Sequence, residues 1–320
     1  MTARIIGTGS YLPETIVTND DLAKIMDTSD EWIRSRTGIG ERHLVKEETT
    51  VSMSAEAARR ALQDAGVAPE EVDMIILATV SGDHITPAAA CMVQAEIGAT
   101  KAVAFDVNGA CSGFIFALHT VQAYILAGMC RTAVIIGAET LSKIMDWNDR
   151  STCVLFGDGA GAAVVRADET GLLAYDHGSD GSRGMVLAGI SRLNNNPLVK
   201  NSTELQYVQM DGQEVYKFAV TAVPESINRV LGSAGLTTDD IRYFLLHQAN
   251  IRILQSVSKR LKVTEDKFPI SLDHCGDVSA ASVPILLDEV NKKGMLNKGD
   301  KIVLSGFGGG LTWGSTVLEW

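Results

Sequence analysis

Cys111 is the residue of this sequence whose surroundings most strongly suggest chemistry. It lies in the stretch FDVNGACSGFIFAL, where small residues lead into a largely apolar segment of helical character. Backbone N–H groups at the start of a helix favour a thiolate and lower the pKa of a cysteine from about 8.5. The neighbouring glycines and alanine would also let backbone N–H groups approach a substrate closely, as an oxyanion site requires. Cys111 is therefore a candidate nucleophile, and a small buried apolar side chain is the alternative interpretation.

Two polar residues of the C-terminal part could complete a catalytic group with Cys111. His247 follows an apolar run in FLLHQANIRI, at the end of a predicted buried strand, where α/β proteins commonly place ligands. Asp277 lies in HCGDVSAASVPILLDEV, among small residues that precede an apolar helix. Each has an ordinary alternative, since a histidine after a strand can be a satisfied polar group and an aspartate can cap a helix. Together with the glycine-rich SGFGGGLTWGS, these residues predict acyl transfer through a thioester.

An internal repeat shows how these distant residues could meet. The stretches 61–83 and 230–252 each contain an amphipathic helix ending in Ala-Gly, two acidic residues and a buried strand, at an offset of 169 residues. The helices that follow Cys111 and Asp277 match at an offset of 166, which predicts that these two residues occupy one position in two duplicated halves. Pseudo-twofold packing would then bring the two helix starts together. A coincidence between two α/β units is the alternative, because such patterns recur widely.

Composition limits the class of protein. The chain has 320 residues, of which 46% are hydrophobic and 21% charged, as in ordinary globular proteins of about two domain equivalents. The net charge of −11 argues against a general nucleic-acid or membrane-surface binder, so we expect neither partner. No apolar run approaches the roughly 20 residues needed to cross a bilayer, and the first residues do not resemble a signal peptide. We therefore expect a soluble, cytoplasmic protein.

The five cysteines point to the same compartment. They form no C-x-x-C pair and are odd in number, which favours a reducing cytosol over a disulfide framework and argues against structural zinc. Cys91, Cys130, Cys153 and Cys275 lack the helix-start setting of Cys111. Another motif, GDGAGA at 157–162, has the wrong glycine spacing for a dinucleotide site.

The whole chain resembles the β-ketoacyl-acyl-carrier-protein synthase III family, the initiating condensing enzymes of bacterial fatty-acid synthesis. The resemblance runs from TGSYLPE through DEWIRSRTGIGERH, ACSGF, FGDGAGAAVV and HQANIRI to FGGGLTWGS. It implies a homodimer with the thiolase-like α-β-α-β-α layered fold, built from two duplicated α/β halves. Residues 1–170 would carry the nucleophile, and residues 171–320 would carry His247 and Asp277. The family also implies an acyl-CoA substrate, a malonyl acyl carrier protein partner, and neither metal nor redox cofactor.

The resemblance assigns a role to each catalytic residue. Cys111 would take the acyl group from CoA, while the backbone N–H groups of Cys111 and Gly309 would hold the oxyanion. His247 and the family's asparagine would donate hydrogen bonds to the enolate formed when malonyl carrier protein loses CO2. Asp277 stands at the position of that asparagine.

The aspartate leaves two functions open. An ionised carboxylate would repel the enolate, so we expect slow condensation at neutral pH with acylation of Cys111 intact. If burial kept Asp277 protonated, it could donate as asparagine does, and condensation would fall as pH rises. The alternative function is Cys-His-Asp acyl transfer to an alcohol, amine or water without carbon-carbon bond formation, in which Asp277 orients His247 as a base.

The family's CoA channel also maps onto this sequence. Trp32 and Arg150 would sandwich the adenine by stacking and cation–π contact. Thr28 and Arg36 would meet the nucleotide and its phosphates, and Asn250 the pantetheine. Without the resemblance, TSDEWIRSRTGIG would indicate only a capped helix with surface charges.

Two further features concern the protein partners. Arg252, Lys259 and Arg260, with Lys217, match the family's docking patch for the acidic carrier protein, although RILQSVSKRLK taken alone would indicate a solvated helix face. Thr86 lies in DHITPAAAC. In the family, the side chain at this position reaches into the acyl pocket of the partner subunit. A phenylalanine there restricts the pocket to short chains, so Thr86 predicts tolerance of acyl groups longer than acetyl.

Overall fold

The computed structural model describes residues 1–189, 191–202, 204 and 206–320. Its strands and helices follow one another as β1 (Thr2–Tyr11), β2 (Ile16–Thr18), α1 (Asn19–Leu22), α2 (Asp30–Thr37), β3 (Glu41–His43), α3 (Thr50–Ala65), β4 (Met74–Ala78), α4 (Ala89–Ile97), β5 (Val103–Val107), α5 (Gly113–Leu126), β6 (Thr132–Thr140), β7 (Asp158–Asp168), β8 (Leu172–Ser179), β9 (Leu187–Ala188), β10 (Gln209–Met210), α6 (Gly212–Ala234), β11 (Ile241–Leu246), α7 (Ile251–Leu261), α8 (Leu272–Cys275), α9 (Ser282–Lys292), β12 (Lys301–Gly308) and β13 (Thr312–Glu319). Among these described residues, no helix has the length and apolar character to span a membrane.

Two sheets repeat one strand order. The first has the order β1-β7-β6-β4-β5, and the second has the order β8-β13-β12-β11. In both, two antiparallel pairings are followed by a parallel one. The predicted repeat is thus present in the topology, although the second sheet has no counterpart of β5 in the part of the chain that the structure describes. The predicted boundary between 170 and 171 falls in the connection from β7 to β8.

Helices lie between and outside the sheets. α5 and α9 share one buried core with residues of both sheets. α3 and α4 pack on the outer face of the first sheet, and α6 and α7 pack on the outer face of the second. Because α5 is covered on both sides, it is apolar nearly all round instead of along one stripe. The order of layers is therefore α-β-α-β-α, as predicted.

The predicted Ala-Gly helix ends are confirmed. α3 ends at Ala65 and α6 at Ala234, and the glycines that follow, Gly66 and Gly235, have φ of 61° and 67°. In this left-handed region a glycine avoids the steric cost of a side chain and lets its N–H satisfy a free carbonyl of the last turn. The two glycines therefore stop equivalent helices at equivalent points before β4 and β11.

The predicted register around Asp277 is wrong. α5 begins at Gly113 and α9 at Ser282, and the 3₁₀ turns before them cover Ala110–Ser112 and Ser279–Ala281. These pairs keep the offset of 169, which places Cys111 opposite Ala280 and not opposite Asp277. The apparent offset of 166 arose because runs of small residues align almost equally well at several registers. The two turns are nevertheless in contact, as the pseudo-twofold argument predicted.

Candidate active site

Three buried polar side chains converge where the two halves meet. Cys111 lies in the turn before α5, His247 directly follows β11, and Asp277 precedes the turn before α9. The Cys111 sulfur, a His247 ring nitrogen and an Asp277 carboxylate oxygen all lie within 4.8 Å of one another. Their exposed fractions are 7%, 1% and 6%, so all three face one another out of bulk solvent. The structure therefore brings the three predicted catalytic residues together.

The Cys111 thiol occupies a tight backbone setting. A Cβ atom on Gly308 would lie 2.8 Å from the Cys111 sulfur, so glycine is required at this point of β12. The thiol also meets the Gly309 N–H and the Ser279 hydroxyl, both of which would stabilise a thiolate. Burial and the nearby Asp277 carboxylate act in the opposite direction and dominate, so the pKa of Cys111 is raised. The prediction that the helix start lowers this pKa is wrong, and the resting nucleophile is a neutral thiol.

His247 is held by its Nδ1 atom. This nitrogen lies 2.6 Å from the Ser282 hydroxyl oxygen, whose own proton is donated to the carbonyl oxygen of Ser279 at 2.9 Å. Nδ1 therefore carries the proton and donates it to Ser282, which leaves a lone pair on Nε2. Burial lowers the pKa of His247, so the imidazole is neutral. Its neutral Nε2 accepts a hydrogen bond or a proton, whereas the family resemblance implied a donor.

The Asp277 carboxylate faces the Nε2 atom of His247. Its Oδ2 atom lies 3.7 Å from His247 Nε2, and its Oδ1 accepts the Ser279 N–H at 2.8 Å. Asp277 also pairs with Phe156 in an isolated parallel bridge, which fixes the backbone. Burial raises the pKa of Asp277 to about 7. It does not cap α9, whose N-cap is Ala281.

Three site residues were missed by sequence reasoning. Ser279 and Ser282 contact the thiol and the imidazole, but their positions could not be told from those of other small residues in the same turn. Glu139 is the penultimate residue of β6, all of whose residues are buried, and it accepts hydrogen bonds from Val80 N–H at 3.1 Å and from the hydroxyl of Ser81. It is also within reach of the Ser279 hydroxyl, and burial raises its pKa to about 7. An acidic residue inside the apolar run TAVIIGAE was the signal that could have revealed it.

A cavity of about 810 Å³ opens beside the nucleophile. Its wall includes Cys111, Ser279 and Gly309, together with the stretches 187–189 and 206–208. A cavity of this volume is within the range that holds small-molecule ligands. The thiol is therefore buried from bulk solvent but accessible to a ligand in the cavity.

The family models for 3-oxoacyl-[acyl-carrier-protein (ACP)] synthase III match residues 105–181, and those for its C-terminal part match residues 231–320. The β-ketoacyl-[acyl-carrier-protein] synthase III of Clostridium acetobutylicum is 51% identical over 318 residues, which is 99% of this chain and 98% of that protein. This chain belongs to the β-ketoacyl-[acyl-carrier-protein] synthase III family.

Solved structures agree with this assignment. The 3-oxoacyl-[acyl-carrier-protein] synthase III of Aquifex aeolicus superposes with a TM-score of 0.93 at 43% identity, covering 99% of this chain and 100% of that one. The priming β-ketosynthase of the R1128 polyketide pathway gives the same TM-score at 34% identity, with 99% and 96% covered. The thiolase-like fold and the family predicted from the sequence are thereby confirmed.

The residues predicted to bind CoA form a cluster beside α2. The guanidinium carbons of Arg36 and Arg150 lie 4.6 Å and 5.3 Å from the Trp32 ring centroid. The Thr28 hydroxyl oxygen is buried and has no hydrogen-bond partner among the described residues. Asn250 caps α7 and donates to the Arg36 carbonyl oxygen at 3.1 Å. The structure brings these residues together, and their roles in CoA binding stay a prediction.

The predicted carrier-protein patch lies on α6 and α7. Lys259 and Arg260 are exposed in the last turn of α7, and Lys217 is exposed on α6, where it pairs with a glutamate three residues earlier. Arg252 is exposed as well, but its guanidinium donates to the Ser35 carbonyl oxygen of α2 at 2.8 Å. Arg252 therefore also links α7 to α2, which the sequence did not indicate.

Thr86 does not line the cavity of its own chain. It is exposed, whereas its neighbours His84 and Ile85 contribute to the cavity wall. An exposed Thr86 is compatible with the expected reach into a partner subunit.

Proposed function

We propose that this chain primes fatty-acid synthesis in two steps. An acyl group from acyl-CoA first forms a thioester with Cys111, and decarboxylative condensation with malonyl acyl carrier protein then yields β-ketoacyl carrier protein, CO2 and CoA. The observation that carries the proposal is the convergence of Cys111, His247 and Asp277 within 4.8 Å, with Cys111 on the wall of the cavity. Asp277 makes the second step dependent on pH.

The first step needs a base, because the resting thiol is neutral. His247 Nε2 has the free lone pair, and the Asp277 carboxylate 3.7 Å away would stabilise the imidazolium. The Cys111 sulfur attacks the acyl carbonyl carbon while its proton passes to Nε2. The tetrahedral oxyanion accepts hydrogen bonds from the Cys111 and Gly309 N–H groups. On collapse, the CoA sulfur leaves and takes the proton from Nε2.

The second step needs a hydrogen-bond donor for the enolate. Malonyl carrier protein loses CO2, and negative charge develops on its thioester oxygen. Neutral His247 presents a lone pair at Nε2, so a protonated Asp277 is the available donor of the pair. The enolate carbon attacks the acyl-cysteine, the bond to the Cys111 sulfur breaks, and the departing thiolate takes up one proton from solvent, which restores the neutral thiol. No electrons are exchanged, so the proposed reaction balances without a redox cofactor.

The geometry favours condensation over a Cys-His-Asp relay. In such a relay the aspartate holds the imidazole nitrogen remote from the nucleophile, and the other nitrogen serves as base. Here Ser282 holds Nδ1 and Asp277 faces Nε2. Asp277 therefore converges on the reacting groups as an asparagine of the family would, and does not stand behind the histidine.

The partners follow from the same proposal. Acyl-CoA would bind along Trp32, Arg36 and Arg150. The acidic carrier protein would dock on Lys217 of α6 and on the basic last turn of α7. A homodimer would form at β5, which is an edge strand pairing only with β4 in the described chain and which exposes 62% of Val103. The five free cysteines suit a reducing compartment, so the proposed location is the cytoplasm.

The direct test of the proposal is product analysis. The purified chain is mixed with acyl-CoA and malonyl carrier protein at pH 6 and pH 8, and the carrier protein is examined by intact-mass spectrometry. A β-ketoacyl product that forms faster at pH 6 is expected. Release of free acid or transfer to a small alcohol, with no β-ketoacyl product at either pH, would instead establish the acyl-transfer alternative.

A further inference from the structure

A second cluster of metal-ligating side chains lies behind the catalytic turn. His274 and Cys275 end α8, and Glu289 lies on α9. One ligand atom from each lies within 4.8 Å of the others. The His274 Nε2 atom is 2.8 Å, and the Cys275 sulfur 3.9 Å, from the same carboxylate oxygen, Glu289 Oε1. Three different donor types thus converge on one point.

Neighbouring residues orient these donors. The Asp273 carboxylate lies 2.9 Å from His274 Nδ1, the arrangement in which a carboxylate fixes a metal-binding imidazole with Nε2 directed at the metal. Lys293 binds the other oxygen of Glu289, Oε2, at 2.9 Å, which leaves Oε1 directed at His274 and Cys275. Two of the three donors, His274 and Glu289, therefore have the supporting contacts of a built site.

The donor set selects the ion. Sulfur and imidazole nitrogen with one carboxylate oxygen suit Zn²⁺, whereas Mg²⁺ and Ca²⁺ prefer oxygen ligands alone. The Cys275 side chain is buried, while 36% of the His274 side chain and 18% of the Glu289 side chain are exposed. The site is thus anchored in the core and open to solvent on one side, which provides an entry path and room for water as a fourth ligand.

We propose that His274, Cys275 and Glu289 form a zinc-binding site, with Asp273 supporting His274. The sequence did not predict zinc, because it has no paired cysteines and the glutamate ligand is fourteen residues from the cysteine. Asp277 lies two residues after Cys275, and α9 begins at Ser282. Bound zinc would therefore join α8 to α9 across the turn that carries Asp277.

The test must separate this site from the catalytic cluster, which also combines cysteine, histidine and carboxylate. Binding is therefore measured in the full-length Cys111→Ala variant, which also carries Cys91→Ser to remove the exposed thiol. Zinc is titrated against a chromophoric chelator, and Co²⁺ is used to detect thiolate-to-metal absorption. We expect one zinc ion per chain, cobalt-thiolate absorption, and a raised midpoint of thermal unfolding when zinc is present.

Substitutions in that background assign the ligands. Cys275→Ser should abolish the cobalt-thiolate band, and Glu289→Gln should weaken zinc binding strongly. Asp273→Asn should weaken zinc binding by about 10- to 100-fold, as expected for a residue that supports a ligand. Cys130→Ser, which alters another buried cysteine, is the matched control and should leave binding unchanged. Circular dichroism without zinc verifies that each variant is folded.

Three results would overturn the proposal. One is the absence of stoichiometric zinc binding in the background variant. Another is unaltered affinity in the conservative Glu289→Gln protein, which keeps the shape of the side chain. The third is equal loss of binding in Cys130→Ser and Cys275→Ser.

Discussion

The chemistry of individual residues depends on burial as much as on identity. Cys111 and His247 each have a pKa shifted toward the neutral form by burial, so neither is charged in the resting site. The pKa of Asp277 is raised to about 7. Residue types and order were sufficient to select these three side chains, but protonation states depend on desolvation, which no sequence pattern reports.

Acylation should occur on Cys111 alone. Its sulfur lies on the wall of the cavity with the Gly309 N–H beside it, whereas the other thiols lack this setting. After incubation with acetyl-CoA, intact mass and peptide mapping should locate one acetyl group on Cys111, and Cys111→Ala should prevent labelling. Cys153→Ala, at a fully buried cysteine, is the control that should leave labelling intact. Stable acetylation at another cysteine would contradict the assignment.

Protonation of Glu139 should make the free energy of unfolding depend on pH. Because its pKa is raised from 4.5 to about 7, the folded chain retains this proton over a range in which the unfolded chain has lost it. Its contribution to the free energy of unfolding therefore falls as pH rises from about 4.5 to about 7. Glu139→Gln should reduce this decline in urea unfolding measured between pH 5 and pH 8.

A matched apolar variant separates hydrogen bonding from charge at Glu139. Glu139→Leu leaves the Val80 N–H and the Ser81 hydroxyl without their acceptor, which should cost about 2 kcal/mol or more of stability. Acylation of Cys111 should also slow, because Ser279 loses a neighbour. Equal stability of the Gln and Leu variants at every pH would show that Glu139 does not support the site.

At the scale of elements, the basic last turn of α7 allows a test of carrier-protein docking. Lys259 and Arg260 are exposed in its last turn, whereas Arg252 also holds α2. Lys259→Glu with Arg260→Glu should raise the KM for malonyl carrier protein by about tenfold at low salt, because rim charges steer association. The difference should shrink as salt rises, since charges are screened over about 10 Å at 0.1 M.

The control for docking is Lys298→Glu, an exposed lysine before β12, at the end of that strand opposite Gly308 and the active site. It should leave the KM for the carrier protein unchanged. Acyl-CoA labelling of Cys111 should be normal in both proteins. A parallel loss of labelling in the α7 variant would mean that the patch acts on CoA or on folding and is not a docking surface.

Elements were easier to predict than their register. The ends of two equivalent helices were predicted correctly from Gly66 and Gly235, because each glycine ends its helix for a local physical reason. The turn before α9 is made of small residues that fit several alignments, so Asp277 was placed opposite Cys111 in error. Contacts between residues that are distant in sequence, such as those of Glu139 with Ser81 and Ser279, form only in the folded sheet. In the sequence they are indicated only by an acidic residue within an apolar run.

At the scale of the whole molecule, the acyl pocket should depend on two subunits. Thr86 is exposed on its own chain and is expected to face the pocket of the partner. The unaltered protein should therefore label with butyryl- and octanoyl-CoA as well as acetyl-CoA, and Thr86→Phe should restrict labelling to short chains. Strict preference of the unaltered chain for acetyl-CoA would contradict this prediction.

In the proposed homodimer, a mixed pair of subunits tests in which subunit Thr86 acts. In the test, the subunit with Thr86→Phe also carries Cys111→Ala, so only the other subunit can be labelled. Octanoyl labelling should be lost, because the phenylalanine enters the pocket of the active subunit. In the control, Thr86→Phe is placed on the active subunit and octanoyl labelling should persist. The reverse result would show that residue 86 acts within its own chain.

The proposed condensation depends most directly on Asp277 as a titrating substitute for an asparagine. The deciding measurement is the rate of β-ketoacyl product formation between pH 5.5 and pH 8.5 for the unaltered chain and for Asp277→Asn. Above pH 7 the unaltered chain should lose about tenfold in rate per pH unit, because ionisation removes the donor. Asp277→Asn should not show this loss and should be about 30-fold faster at pH 8.5, the loss that accumulates over 1.5 pH units above the pKa. Rapid condensation by the unaltered chain that does not change up to pH 8.5 would contradict the account.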